Sequence, residues 1–146
     1  MKALLVCLTC NVLALGLFSG SASAQTAVNF SADANGQITF TVPSLNVGCT
    51  YTPAGGTRVY TPADGGPELS CDHTKPRYTR AVLTPKTVRR FDRVSDQDGF
   101  ADVNAIKAGS RWTQGPFTCD ATAAALTCKR ADGRGFVIDR GGIKTN

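Results

Sequence analysis

Residues 115–140 read GPFTCDATAAALTCKRADGRGFVIDR, and the fold class turns on how this stretch is read. Three short runs, 117–121, 126–130 and 136–140, alternate apolar with polar residues and are separated by turn-forming segments. Alternation with a period of two places one face of each run on a core, the pattern of half-buried strands. Phe117 and Cys119 share a parity on the first run, and Leu126 and Cys128 on the second. A cross-strand bond between those cysteines would therefore point into or beside the core. Ala131 to Gly135 closes the second hairpin, so the stretch predicts a C-terminal three-strand meander.

The same texture extends upstream. Residues 37–42 (QITFTV) and 46–52 (NVGCTYT) alternate with β-branched and aromatic residues, with Val47, Cys49 and Tyr51 on one face. Residues 57–61 (TRVYT) predict a short strand between two Pro/Gly turns. Leu69, Cys71 and His73 share a face of the next strand, and 78–84 predicts another, closed by Pro85. In 86–102, Val88, Phe91 and Val94 are three apart, which suits one short helix or a packed loop. Residues 104–108 and 111–113 are strand candidates around a Gly-Ser turn. There is no long amphipathic helix and no repeat with a period of 20 to 50 residues. The expected fold is all-β, a small antiparallel sandwich or barrel stapled by two disulfides.

The first residues set the compartment. Lys2 precedes an apolar run from Ala3 to Phe18, and Ala22-Ser23-Ala24 supplies the small residues a signal peptidase reads. Residues 1–24 are expected to be a secretory signal peptide, 25–36 a flexible leader, and 37–146 a single β domain. Cleavage would leave 122 of the 146 residues, with 15 Lys and Arg against 11 acids, a net charge of +4. That balance favours anionic neighbours at the level of encounter rather than fold. The expected location is secreted or periplasmic.

Of six cysteines, Cys7 and Cys10 lie in the expected signal peptide, leaving Cys49, Cys71, Cys119 and Cys128. An even number in an exported chain reads as a disulfide framework. Four cysteines allow three pairings; proximity favours Cys49–Cys71 with Cys119–Cys128. Zinc is the rival reading, but the two-residue spacings of zinc sites are absent and His73 is the only histidine.

Five segments taken in order resemble a known family: Phe40 to Cys49 (FTVPSLNVGC), Leu69 to Asp72 (LSCD), Gly115 to Cys119 (GPFTC), Leu126 to Cys128 (LTC) and Gly133 to Arg140 (GRGFVIDR). They are similar to a family of small exported bacterial proteins known as domain of unknown function 6636, with its F-x-x-P-S-G-N-I-x-C, G-L-T-C and G-H-G-F motifs. The chain departs from that pattern at Leu45, Ala125 and Arg134, where the family has Gly, Gly and His. The resemblance implies a compact exported domain with two disulfides and carries no activity with it.

Three sets of residues were weighed for chemistry. Asp96, Asp98 and Asp102 around Gly99 suggest a calcium loop, but aligning Gly99 with the loop's sixth position puts Val94 first and Ala105 twelfth, so the bidentate glutamate is missing. Lys75, Arg77, Arg80, Lys86, Arg89, Arg90 and Arg93, with Tyr78 and Phe91 among them, could track a polyanion. Arg134 at the tip of the GRGF turn is a further anion contact. His73 is the one base that needs no unusual shift near neutral pH. Asp72 sits on the opposite face from it, and Ser44, Ser70 or Ser95 would be nucleophiles only if the fold brought one to His73. A ribonuclease-like use would join His73 with Glu68 and an arginine. No cofactor is indicated. The residues favour a non-enzymatic binding or structural module of the bacterial envelope or extracellular space, with an anionic cell-wall polymer or a protein as partner. The alternative is a small secreted hydrolase using His73 with a carboxylate.

Overall fold

The computed structural model describes residues 24–96, 100 and 104–146. The signal-peptide reading of 1–24, Ala24 apart, falls outside the described residues, as do Asp98 and Asp102. Twelve strands follow one another: β1 (Thr26–Val28), β2 (Ile38–Val42), β3 (Val47–Thr52), β4 (Glu68–His73), β5 (Thr79–Leu83), β6 (Val88–Phe91), β7 (Asn104–Ala105), β8 (Ser110–Gln114), β9 (Phe117–Ala121), β10 (Ala125–Lys129), β11 (Gly135–Asp139) and β12 (Gly142–Thr145). They form two six-stranded sheets packed as a sandwich, ordered β7-β2-β3-β4-β5-β6 and β1-β8-β9-β10-β11-β12. Apolar side chains of alternating parity from both sheets make the core, with Phe40 and Trp112 meeting across it at 4.8 Å between ring centroids.

Each sheet is a five-strand antiparallel meander with one parallel strand added at its edge. The added strand comes from the other half of the chain: β1 pairs with β8, and β7 pairs with β2. The two meanders also match residue by residue. Phe40, Cys49, Cys71 and Ala81 stand side by side across β2–β5, as Trp112, Cys119, Cys128 and Phe136 do across β8–β11. Leu69-Ser70-Cys71 and Leu126-Thr127-Cys128 occupy the same places. The chain is thus a doubled unit with exchanged leading strands. Its offset, 57 residues between Cys71 and Cys128, is longer than the 20 to 50 residues of ordinary structural repeats.

The disulfides are Cys49–Cys71 and Cys119–Cys128, the pairing that proximity favours. Both join directly opposite residues of neighbouring strands with Cα atoms 4.1 Å apart, the close approach of a non-hydrogen-bonded antiparallel pair. All four cysteines are buried. Bonds of this kind belong to oxidising compartments. Among the described residues no helix is long and apolar enough to cross a membrane.

Several local expectations need correction. The flexible leader contains β1, and Phe30 beyond it packs on the core near Phe40. Residues 57–61 form no strand; Thr57 instead closes a turn by accepting the backbone N–H groups of Val59 and Tyr60. Residues 88–91 form β6 rather than a helix. The C-terminal meander continues into β12, and it begins at β8. The left-handed residue after Ser44 is Asn46 (φ 54°), while Leu45 is buried in a 3-10 turn over Pro43–Leu45. Asparagine tolerates that conformation better than other non-glycine residues. In the GRGF turn Gly133 takes φ 82°, and a Cβ on Gly135 would run into the backbone of Cys128 and Lys129. Both glycines therefore serve to close the β10–β11 hairpin.

Candidate functional site

The outward residues of β3–β6 include Thr50 and Thr52, Glu68, Ser70 and Asp72, Arg80 and Val82, and Arg89 and Phe91. Two segments stand beside this face, the 53–67 loop between β3 and β4 and residues 92–96 after β6. Together they enclose a cleft of about 470 Å³, lined also by Gln37, Val59, Tyr60 and Arg93. A cavity of this size is in the range of small-ligand sites. The large hydrophobic side chains that stand exposed among the described residues are Val59 (96%), Tyr60 (46%) and Phe91 (42%), and all three line this cleft.

The polar groups of the cleft are fixed by one another. Tyr60 donates its hydroxyl to Glu68 Oε1 at 2.7 Å. Partial burial and then that hydrogen bond push the phenol up to about 12, so it remains a donor. Gln37 Nε2 donates to Thr52 Oγ1 at 3.0 Å. Arg80 lies directly opposite Asp72 and grips both its carboxylate oxygens, Nε to Oδ1 at 2.6 Å and Nη2 to Oδ2 at 2.8 Å. Asp72 is 1% exposed and also accepts from the Tyr78 hydroxyl at 3.0 Å. The same guanidinium donates to the Asp96 carboxylate and main-chain carbonyl at 3.2 and 2.9 Å, so it ties the 92–96 segment to the sheet. Hydrogen bonding to Asp72 holds Arg80 well above its usual value, and it is charged at every ordinary pH. Asp96, of the calcium reading, is thus engaged by arginine. Its own backbone N–H and then Arg80 hold its carboxyl below the usual range. Among the described residues no cluster of potential metal ligands forms.

The seven basic residues do not share one face. Arg80 and Arg93 line the cleft, and Arg89, opposite Val82, faces the same way. Lys75 lies at the hollow around His73. Arg90 pairs with Asp92 and donates to the Ile143 carbonyl at 2.5 Å. Lys86 Nζ reaches the Asp64 carbonyl at 3.5 Å. Arg77 and Arg89 are exposed, and so is Arg134 at its turn tip.

His73 faces inward at 2% exposure, beneath a shallow hollow lined by Leu45, Asn46, Lys75, Pro76 and Arg140. Burial lowers its pKa, while the charge of Asp139 and a hydrogen bond with the Leu45 backbone pull weakly the other way. Glu68 is at the far end of β4 and on the opposite face, roughly 17 Å along the strand. Asp72 is likewise outward, gripped by Arg80, and Ser70 lines the cleft. The structure therefore does not bring His73 together with Glu68, Asp72 or Ser70. Ser95 is also in the cleft, and Ser44 is in the exposed part of the Pro43–Leu45 turn.

Sequence reasoning missed the cleft because its walls come from loops. The one signal available was Tyr60 and Val59 on a segment rich in Gly and Pro, where large apolar residues have no strand to serve. No family model matches the chain, and neither the curated proteins nor the solved structures contain a match to it.

Proposed function

We propose that this chain is an exported, non-enzymatic binding module of the bacterial envelope or extracellular space, secreted or periplasmic, whose ligand seats in the cleft on the outer face of β3–β6. The observation that carries the reading is the gathering of Val59, Tyr60 and Phe91 around one cavity, when soluble proteins otherwise scatter exposed apolar side chains singly. The polar groups between them are already oriented by Asp72, Asp96 and Glu68, which lowers the ordering cost of binding. Two buried disulfides suit an oxidising location, and the motif resemblance to domain of unknown function 6636 supports export. Hydrolysis through His73 gains no support, since the ring is buried, Glu68, Asp72 and Ser70 face away from it, and the Asp139 carboxylate is engaged by Lys144.

Retention of the purified protein on isolated peptidoglycan, anionic lipid vesicles and RNA, at low and high salt, tests this. The expected result is retention on envelope material that survives salt and is lost in the Tyr60→Ala/Phe91→Ala double variant. Retention that salt abolishes and the double variant preserves would instead assign binding to the dispersed arginines and lysines.

A further inference from the structure

Resting on the reading that the cleft is a binding site, we infer that its occupant is an uncharged glycan chain. The first reason is charge. Four lining residues are formally charged, Arg80 and Arg93 against Glu68 and Asp96, and they balance. Arg80 is moreover saturated by carboxylates, with Asp72 on one side and Asp96 on the other. A polyanion would have to displace those partners, whereas a neutral ligand leaves them in place.

The second reason is the mixture of surfaces. A pyranose presents an apolar C–H face ringed by hydroxyls that both donate and accept. The cleft offers two exposed aromatic rings, Tyr60 and Phe91, whose faces carry the negative end of the ring quadrupole and suit polarised C–H groups. Beside them Thr50 and Ser70 present hydroxyls from adjacent strands. Hydroxyl groups donate and accept as the ligand requires. The Tyr60 ring is held by its bond to Glu68, so little side-chain freedom is lost when a sugar packs on it.

The third reason concerns the rival occupant, an extended peptide. Such a segment gains affinity by adding to a sheet edge. The cleft itself lies on a sheet face, where the backbone groups are already paired within the sheet.

Calorimetric titration of the full disulfide-bonded protein decides the matter. The probes are soluble oligosaccharides of the chitin, cellulose, starch and mannan series, RNA, and a pool of uncharged synthetic peptides. One glycan series is expected to saturate the protein with affinity unchanged by salt. Tyr60→Ala and Phe91→Ala should each weaken it about ten-fold, the loss of one aromatic contact and its packing. Arg111→Ala, on the outer face of the other sheet, should leave it unaltered. Circular dichroism verifies folding, and Tyr60→Phe keeps the ring without the Glu68 bond should Tyr60→Ala fail to fold; a smaller loss is expected there. Glycan binding indifferent to both aromatic substitutions overturns the inference. Binding of RNA or peptide that depends on Tyr60 and Phe91, with none of glycan, overturns the glycan while leaving the cleft as a binding site. No probe responding to Tyr60 or Phe91 overturns both.

Discussion

In the second half of the chain β9 turns into β10 through residues 122–124; in the first half β3 reaches β4 only after 53–67. Around that difference the halves correspond closely. Phe40 answers Trp112, each sheet has one buried cross-strand disulfide, and Leu83 and Ile138 hold the same register position. Even His73 has a counterpart. It lies two residues beyond Cys71 as Arg130 lies two beyond Cys128, and both are buried. Arg130 donates to the Thr84 carbonyl of the opposite sheet at 2.9 Å, and His73 feels Asp139, the residue that corresponds to Thr84. Position for position, His73 stands where Arg130 ties the two sheets together. The shared scaffold makes stability, and what the first half has in addition, a long loop over its outer face, makes the cleft. Loops of that length in small domains are uncommon and usually functional.

This comparison can be broken, beginning with the staples. Replacing Cys49 and Cys71 by alanine should cost about 3–4 kcal/mol in chemical denaturation, and replacing Cys119 and Cys128 roughly 0.8 kcal/mol less, because the second bond closes a shorter loop. Equal costs would show that native packing rather than chain entropy sets their worth. Next are the two arginine–aspartate pairs, each bidentate and directly cross-strand. Asp72→Ala, which leaves a largely buried Arg80 beside one remaining carboxylate, should destabilise by about 3 kcal/mol. Asp120→Ala, facing the solvated Arg111, should change the denaturation midpoint little. A similar loss at both sites would mean that cleft burial adds nothing to the first pair.

A milder change tests the loop itself. Exchanging residues 53–67 for the 122–124 sequence should leave the circular dichroism spectrum intact and shift stability by about 1 kcal/mol or less, since closing a shorter loop offsets the lost contacts. Cleft-dependent binding should vanish. Unfolding on exchange would show that the loop is part of the scaffold. The smallest effect concerns pH. Burial depresses the His73 pKa in the folded state, so the unfolded chain binds a proton first as pH falls. Stability contributed by neutral His73 is complete above about 6.5 and is lost as pH drops from there toward the folded value. The aspartates held low, Asp96 and Asp120 among them, act in a separate window below the usual carboxylate range. A thermal melt series with His73→Leu should flatten only the upper window.

The strands of the second half were legible because their alternation is clean and their turns short. Residues 88–91 misled because Val88 and Phe91 are three apart, a helical spacing; in a strand that spacing sends them to opposite faces, Val88 to the core and Phe91 to the cleft. Residues 57–61 have strand composition but find no neighbour to pair with. The 142–145 strand starts on the second of two glycines and has a single apolar residue, Ile143, so nothing in composition announced it. The cleft was harder still. Asp72 opposite Arg80 depends on register, and Tyr60 reaching Glu68 depends on a loop path. Neither quantity is a property of local sequence.

The exchange of leading strands also governs how the chain must assemble. During synthesis β1 emerges long before β8, its only neighbour in the sheet, and β2 waits on one side for β7. Until both crossings are made, an unpaired strand edge stays open in each half, the kind of surface on which partly folded chains associate. Such distant pairings slow folding and link the halves, since β1 completes the sheet of β8–β12 and β7 that of β2–β6. In an oxidising compartment, formation of Cys49–Cys71 and Cys119–Cys128 locks each meander across its second and third antiparallel strands.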